Sequence, residues 1–159
     1  LSEGSLRSAV LTRASGEAMI LERADVRSVS AEAARFNGAR FIRAQGERAN
    51  LTRAELDGAD LSLSVLVRAH FTEARARGVE FWGANLADSR MYRADLSESR
   101  FDRANLRSAD LSRARMDRTV FDDANLYDAK LVEAAGKDTS FSGANLTRCN
   151  YTQRKQEQP

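Results

Sequence analysis

The sequence predicts an all-β solenoid, in which a four-sided coil of twenty residues is repeated along one axis. Two observations lead to this prediction: a strict period of five in the large apolar residues, and a second period of twenty in their identity. A helix has a period of about 3.6 residues and a strand a period of about two, so neither explains the pattern. The only proline is Pro159, as expected for a chain whose backbone N–H groups are nearly all used in ladders.

The period of five is carried by one large and one small residue in each pentad. Of the 31 residues found at every fifth position from Leu1 to Tyr151, fifteen are Leu and seven are Phe, while Leu63 is the one Leu outside this register. Two residues earlier stands a small residue, which is Ala at twenty of the thirty positions from Gly4 to Cys149. We therefore expect the large side chain to point inward from the centre of a face and the small one from near its corner.

The period of twenty appears when the apolar positions are divided among four faces. The positions from Leu1 to Phe141 hold only Leu and Phe, whereas those from Leu6 to Leu146 are mostly Leu. Like side chains should therefore stack from coil to coil, as they do in parallel in-register sheets. The segment Phe-x-x-Ala-Asn-Leu recurs at this spacing from Phe81, Phe101, Phe121 and Phe141.

The pattern Ala-(Asp/Asn)-Leu-x-x resembles the repeat of the pentapeptide-repeat family. It occurs, for example, at 59–61, 94–96, 104–106 and 124–126. The resemblance covers residues 1–151 and implies a right-handed quadrilateral β-helix of about 7–8 coils, spaced by about 4.8 Å. The remaining residues, 152–159, are predicted to form a polar C-terminal tail or cap.

Two features interrupt the regular repeat. Gly16, Gly46 and Gly136 place no side chain at a face centre, which predicts either local repacking or a hinge, with Met19 and Ile20 expected to refill the gap at Gly16. The repeat is already running at the first residue, and an open coil exposes sheet edges. We therefore expect an N-terminal domain of the same chain to precede it; a simple N-terminal trim is the alternative.

Composition argues against several classes of protein. The chain has 25 Lys and Arg against 23 Asp and Glu, a balance that favours neither a nucleic-acid partner nor an acidic DNA mimic. No apolar run approaches the ~18 residues of a membrane span, and no signal-peptide pattern is present. We expect a cytoplasmic protein without membrane contact. The single cysteine excludes an internal disulfide.

The sequence offers no constellation for catalysis, a cofactor or a metal ion. His70 is the only histidine and stands at an outward position, where a solvated surface residue is expected. Cys149 stands in the small inward column, where it should replace Ala in the core; no histidine occupies a neighbouring coil. Tyr92 and Tyr127 are expected to be isolated, exposed aromatics. We predict that the protein is not an enzyme and binds no cofactor.

Two polar columns are regular enough to carry predictions. Asparagines spaced by twenty should form an outward ladder that stabilises the stack, with ligand binding as the alternative. A second column alternates in sign, which predicts pairing between neighbouring coils on a solvated face. The first column holds Asn85, Asn105, Asn125 and Asn145, and the second Arg35, Glu55, Arg75, Asp95 and Arg115.

Outward apolar residues form the candidate protein-contact patch. Some share a column or adjoin one another around a corner, so together they could make one contiguous surface, the usual mark of a contact site. The alternatives are incidental surface residues or cover by a preceding part of the chain. The patch consists of Ile42, Leu63, Val65, Val67 and Trp82.

These observations favour a non-enzymatic protein-interaction or scaffold module with an unknown protein partner. The resemblance implies that such rods are often C-terminal domains of larger bacterial proteins, some of them secretion-associated. It also implies an alternative, because some family members mimic DNA, bind gyrase or topoisomerase and confer antibiotic resistance. That function requires a strongly acidic face, and here Arg interrupts most columns.

Overall fold

A computed structural model describes residues 3–152, which form one continuous right-handed β-helix with four sides. Twenty-five isolated parallel bridges connect residues twenty positions apart, from Ser5–Asp25 to Asn125–Asn145. Two short strands, β1 (Lys130–Val132) and β2 (Asn150–Thr152), pair in parallel with the same offset of twenty. The described residues contain no helix. The predicted fold is confirmed; beyond Thr152, the predicted tail lies outside the described residues.

A tight turn follows each inward apolar residue and makes the corner of the square. The N–H of Ala104 donates to the carbonyl of Phe101 at 2.9 Å, and equivalent bonds recur along the chain. Every fifth residue from Glu3 to Arg148 has a positive φ, as the third residue of a type II turn requires. Only five of these thirty residues are glycine. The others tolerate this conformation because their N–H groups bond to the next coil, as Arg103 N does to Asp122 O at 2.9 Å.

Three residues lie between successive corners and form the flat part of each face. The middle residue points outward, and the residues on either side of it point inward. Around Asn105, for example, Ala104 and Leu106 are buried while Asn105 is half-buried. The N–H groups of Asn105 and Leu106 bond to opposite neighbours, Ala84 O at 2.9 Å and Asn125 O at 2.8 Å. Each face therefore shows one central outward column and one corner column on each side.

The core is a column of stacked side chains, as the period of twenty predicts. Phe81, Phe101, Phe121 and Phe141 stack with centroid distances of 4.5, 4.8 and 5.1 Å and interplanar angles of 13° or less. The first three rings are fully buried. Burial ends with the rod, since Leu146 is 44% exposed. Each coil therefore depends on both of its neighbours for the burial of its apolar side chains.

The three glycines that replace a large inward side chain are accommodated in different ways. An added Cβ on Gly16 would lie 2.8 Å from the ring of Phe36 and 3.1 Å from Met19, so these two side chains fill the gap. The expectation that Ile20 also fills it was wrong, because Ile20 points outward and is 46% exposed. Gly136 lies against backbone, with its added Cβ only 2.5 Å from Met116 O. The structure thus shows local repacking at Gly16 and at Gly46, where Leu66 and Val26 of the adjacent coils fill the gap, and a close backbone approach at Gly136.

Candidate protein-contact surface

Three of the predicted patch residues lie side by side across one face. Leu63 is the corner residue before this face, Val65 is its central outward residue and Val67 is the next corner residue; all three are half-buried. They form an apolar ridge, named here the 63–67 ridge, which runs across the rod at right angles to its axis. The structure brings these three residues together on one face.

Ile42 and Trp82 lie at the corner beside Leu63. The ladder places them in one column with Ser62 between them, because Arg43 N bonds to Ser62 O at 3.0 Å and Leu63 N bonds to Trp82 O at 2.9 Å. Trp82 is 41% exposed and Ile42 is half-buried. A shallow cleft of about 260 Å³ adjoins Ile42 and is lined by Glu3, Glu22, Arg23, Ile42 and Arg43. The apolar patch therefore continues into a cleft with a charged rim.

The row that follows the 63–67 ridge is occupied by short side chains. It consists of Gly83, Asn85 and Ala87, in the columns of Leu63, Val65 and Val67 respectively. An added Cβ on Gly83 would lie 3.1 Å from Cδ2 of Leu63, so Leu63 leans over this glycine. The ridge is thus followed by a shallow groove, named here the 83–87 groove.

The asparagine ladder begins in this groove and confirms its predicted structural role. The side-chain amide of each asparagine donates to the side-chain oxygen of the preceding one at 3.1–3.2 Å. The same oxygens accept the backbone N–H two residues on, for example Arg107 N at 3.3 Å from Asn105 Oδ1. These bonds fix the side chains of the central column from Asn85 onward. The ladder consists of Asn85, Asn105, Asn125 and Asn145.

The alternating charged column lies on the opposite face and pairs differently from the prediction. In-column pairing was expected, but Arg75 binds Asp57 at 2.6 Å and Arg35 approaches Glu17 at 3.8 Å, both in corner positions of the preceding coil. Only Arg115 approaches its column neighbour Asp95, at 4.0 Å. The arginine side chains are long and flexible, so their guanidinium groups reach diagonally to an acidic side chain at a corner of the preceding coil. These exposed pairs contribute little stability.

Sequence reasoning missed an unpaired carboxylate oxygen beside the 63–67 ridge. Glu47 precedes Val67 in its corner column, and its Oε2 atom is buried with no hydrogen-bond partner among residues 3–152. Arg107, three coils further along this column, forms no ion pair with any described residue, and the same holds for Arg43. Burying a carboxylate oxygen without a partner is costly. The stacking of Glu47 under a valine was the sequence signal for this feature.

Most of the remaining charges of this face are paired within the rod. Arg27 binds Asp25 through two nitrogens, at 2.9 and 2.6 Å. The hydrogen bond from Arg27 lowers the pKa of Asp25 to about 2. Arg23 binds Glu3 at 3.1 Å, and Arg103 approaches Asp123 at 4.0 Å. Arg7, Glu47, Arg43 and Arg107 are therefore the charged side chains on this face that form no ion pair with a described residue of their own chain.

The reactive side chains are placed apart from one another. His70 is half-buried, and burial, followed by the charge of Arg90, lowers the pKa of its imidazole. Cys149 is only partly buried, less than predicted, and its thiol donates to Leu126 O at 2.8 Å. Burial raises the pKa of this thiol, which disfavours the reactive thiolate. Within residues 3–152, no group of three His, Cys, Asp or Glu side chains is arranged to hold a metal ion.

The two tyrosines are less isolated than predicted. Arg93 and Arg113 lie over the ring of Tyr92, at 5.2 and 5.9 Å from its centroid, and Arg113 donates to its hydroxyl at 3.1 Å. Arg148 lies over Tyr127 in the same way, at 5.8 Å. Both rings are half-buried. The prediction of exposed aromatics was wrong because a cation–π contact with the arginine of the next coil covers each ring.

A comparison of the sequence with models of known protein families agrees with the repeat and the fold described above. The family described as pentapeptide repeats matches residues 32–66, 64–103 and 99–134, in eight copies. The chain belongs to the pentapeptide-repeat family. A comparison with curated protein sequences finds no match.

Solved structures of this family resemble the rod. HetL, a pentapeptide repeat protein involved in heterocyst differentiation regulation from the cyanobacterium Nostoc sp. strain PCC 7120, is 25% identical over 94% of this chain and 73% of its own, with a TM-score of 0.41. QnrB1, a plasmid-mediated fluoroquinolone resistance protein, is 21% identical over 96% of this chain and 72% of its own, with a TM-score of 0.42. A pentapeptide repeat protein from the thylakoid lumen of Arabidopsis thaliana is 29% identical over 68% of this chain and 61% of its own, with a TM-score of 0.34.

Residues 3–152 include no helix with the length and apolar character needed to cross a lipid bilayer.

Proposed function

We propose that this pentapeptide-repeat protein is a non-enzymatic protein-interaction module, whose contact surface is the patch of Ile42, Leu63, Val65, Val67 and Trp82. The observation that carries the proposal is the 63–67 ridge, an apolar row on a rigid polar wall, with the unpaired carboxylate oxygen of Glu47 next to it. Pentapeptide-repeat proteins are generally structural or interaction modules without enzymatic activity. A contiguous apolar row with charged groups at its rim is typical of a protein contact.

The rigidity of the rod supports a scaffold role. Backbone bonds of about 2.7–3.0 Å connect each coil to both neighbours, and the asparagine ladder fixes the central column of this face beyond the 63–67 ridge. A rigid surface loses little conformational entropy when it binds. As parts of the same proposal, the rod is a C-terminal domain of a larger, secretion-associated bacterial protein and acts in the cytoplasm on a protein partner, without nucleic acid or membrane.

The test is a capture experiment with the whole chain as bait in lysate of the source organism. A variant carrying Ile42→Ser, Leu63→Ser and Trp82→Ser removes the patch, and a control carrying Val120→Ser and Val132→Ser changes outward apolar residues elsewhere. A captured protein must then bind the purified chain in calorimetry. Binding that the control keeps and the patch variant loses supports the proposal. Equal binding by all three baits would contradict the assignment of the patch.

A supercoiling assay with purified gyrase separates this function from DNA mimicry. The face that carries the patch has arginines on four of its coils, so it does not offer the continuous negative charge of a DNA backbone. They are Arg7 on the first, Arg23 and Arg27 on the second, Arg43 on the third, and Arg103 and Arg107 on the fourth. We expect the purified chain neither to inhibit gyrase nor to protect it.

A further inference from the structure

The face that bears the 63–67 ridge has a shape that complements itself. Three outward columns define this face. They contain residues 23, 25 and 27, together with every residue that stands twenty, forty or more positions before or after one of these in steps of twenty. The ridge of Leu63, Val65 and Val67 lies on one coil and the 83–87 groove on the next. Ridge and groove are adjacent, run in the same direction and have the same width of three columns. A second copy turned end over end would place its ridge over this groove.

We propose that this face binds a second copy of the chain, forming an antiparallel dimer whose two-fold axis crosses the rods between the 63–67 ridge and the 83–87 groove. The inference rests on the proposed function and names the partner of its contact surface. A two-fold contact uses the same surface twice, so each favourable pair occurs two times. Since this axis runs across the rods, each column faces the same column of the second copy in reversed order.

The reversed order brings two unpaired charges of the face together. Glu47, one coil before the ridge, lies opposite Arg107 of the second copy, one coil beyond the groove. Among the described residues of one chain, neither the carboxylate of Glu47 nor the guanidinium of Arg107 forms an ion pair. The dimer supplies this pair through the carboxylate oxygen of Glu47 that is not buried. A carboxylate and a guanidinium at a partly desolvated contact form a strong, charge-assisted pair.

The coils beyond this pair are also complementary. In the central column, Gln45 faces the ladder amide of Asn105 of the second copy, and both side chains can donate and accept. At the corner, Arg23 faces Asp123 of the second copy. One like-charged pair results, between Arg43 and Arg103 of the second copy. Within each copy Asp123 lies 4.0 Å from Arg103 and partly compensates its charge.

A parallel dimer, with its axis along the rods, is disfavoured by the same residues. Each corner column would then face the other corner column of the same coil, so ridge would press on ridge and groove would lie over groove. Arg107 would face Arg103, and Arg23 would face Arg27, which gives two like-charged pairs that occur twice each. Glu47 would face Arg43 and Glu3 would face Arg7, so two opposite pairs would only balance the two like-charged pairs. The antiparallel arrangement has two opposite pairs against one like-charged pair. Shape and charge therefore agree on the antiparallel arrangement.

The test measures the mass of the whole chain by sedimentation velocity over a range of concentrations. We expect the unmodified chain to reach twice the 17.6 kDa of one chain. Glu47→Arg or Arg107→Glu alone should raise the dissociation constant by about tenfold or more, because two like-charged pairs replace two opposite ones. Mixing these two variants should restore the dimer, since the two introduced side chains have opposite charge and face each other, while the unchanged Glu47 and Arg107 form the second pair. This restoration is specific to the antiparallel register.

Arg75→Glu, on the opposite face, is the matched control and should leave the dimer intact. Circular dichroism verifies the fold of each variant; if Glu47→Arg does not fold, Val67→Glu takes its place as a second disruptive variant beside Arg107→Glu. A chain that stays monomeric, single variants that still dimerise, or a mixture that stays monomeric would each overturn the proposal. A monomer that still captures another protein through its patch would leave the proposed function standing, whereas a dimer that captures nothing would restrict that function to self-association.

Discussion

The same substitution is expected to have opposite effects at two equivalent positions of the core. Ser89 and Ser99 both occupy the small inward position that is Ala in most pentads, and both are at most 1% exposed. The hydroxyl of Ser89 has no hydrogen-bond partner among residues 3–152. The hydroxyl of Ser99 accepts from Val79 N at 3.0 Å and donates to Ala76 O at 2.6 Å. The Ser99 hydroxyl therefore connects Val79 N to Ala76 O across the turn of the preceding coil, where other turns have a direct hydrogen bond from N–H to carbonyl.

The magnitudes follow from these partners. Ser89→Ala removes a buried hydroxyl that has lost its bonds to water, and should raise the free energy of unfolding by about 1–3 kcal/mol. Ser99→Ala removes the bridge and leaves a buried N–H and a buried carbonyl unpaired, and should lower it by about 1–3 kcal/mol. A chain of this size shifts its melting temperature by roughly 2–4 °C per kcal/mol.

Thermal unfolding followed by circular dichroism tests both variants against the unmodified chain. We expect the melting temperature to rise by at least about 2 °C for Ser89→Ala and to fall by at least about 2 °C for Ser99→Ala. Chemical denaturation provides an independent measurement of how the two variants and the unmodified chain rank in stability. Shifts of equal sign, or a rise for Ser99→Ala, would refute the reasoning from hydrogen-bond partners.

Two further predictions concern the core and the single histidine. Phe101→Ala should destabilise the rod by about 3–5 kcal/mol, and clearly more than Phe141→Ala, because Phe101 is stacked on both sides and Phe141 on one. Urea titration of the two variants measures both losses of stability, and equal losses would contradict this prediction. The pKa of His70 should lie below 6.5 in an NMR titration of its imidazole, owing to burial and Arg90. Because the unfolded chain then takes up the proton first, stability should fall as the pH drops below 6.5, and His70→Gln should weaken that dependence.

Much of the structure could be predicted from the sequence, because one five-residue unit repeats without a slip. The inward positions of Ala104 and Leu106 follow from this period alone, and both are buried. The ladder of Asn105 and Asn125 could be predicted in the same way, since identical side chains twenty residues apart must stack. Predictions were weakest where side chains leave their own column. Arg75 reaches diagonally to Asp57, a choice among several acceptors at similar distance.

The contact surface was only partly accessible from the sequence. The five patch residues could be listed because outward positions are known from the register. That Leu63, Val65 and Val67 form a ridge across one face depends on where the corners fall, which the turn bonds decide. The unpaired oxygen of Glu47 also depends on three-dimensional packing, since burial of a single oxygen atom is set by the side chains around it.

The sequence by itself determined the architecture of this protein: the period of five sets the turns, the period of twenty sets four sides, and the alternation of large and small residues sets what fills the interior. Only the tertiary structure decided which partners the surface side chains contact. Long polar side chains have many conformations of similar energy, and neighbouring coils offer each of them several partners. Which of these is chosen, and which group is left unpaired, as at Glu47 and Ser89, depends on packing between coils that a linear pattern does not contain.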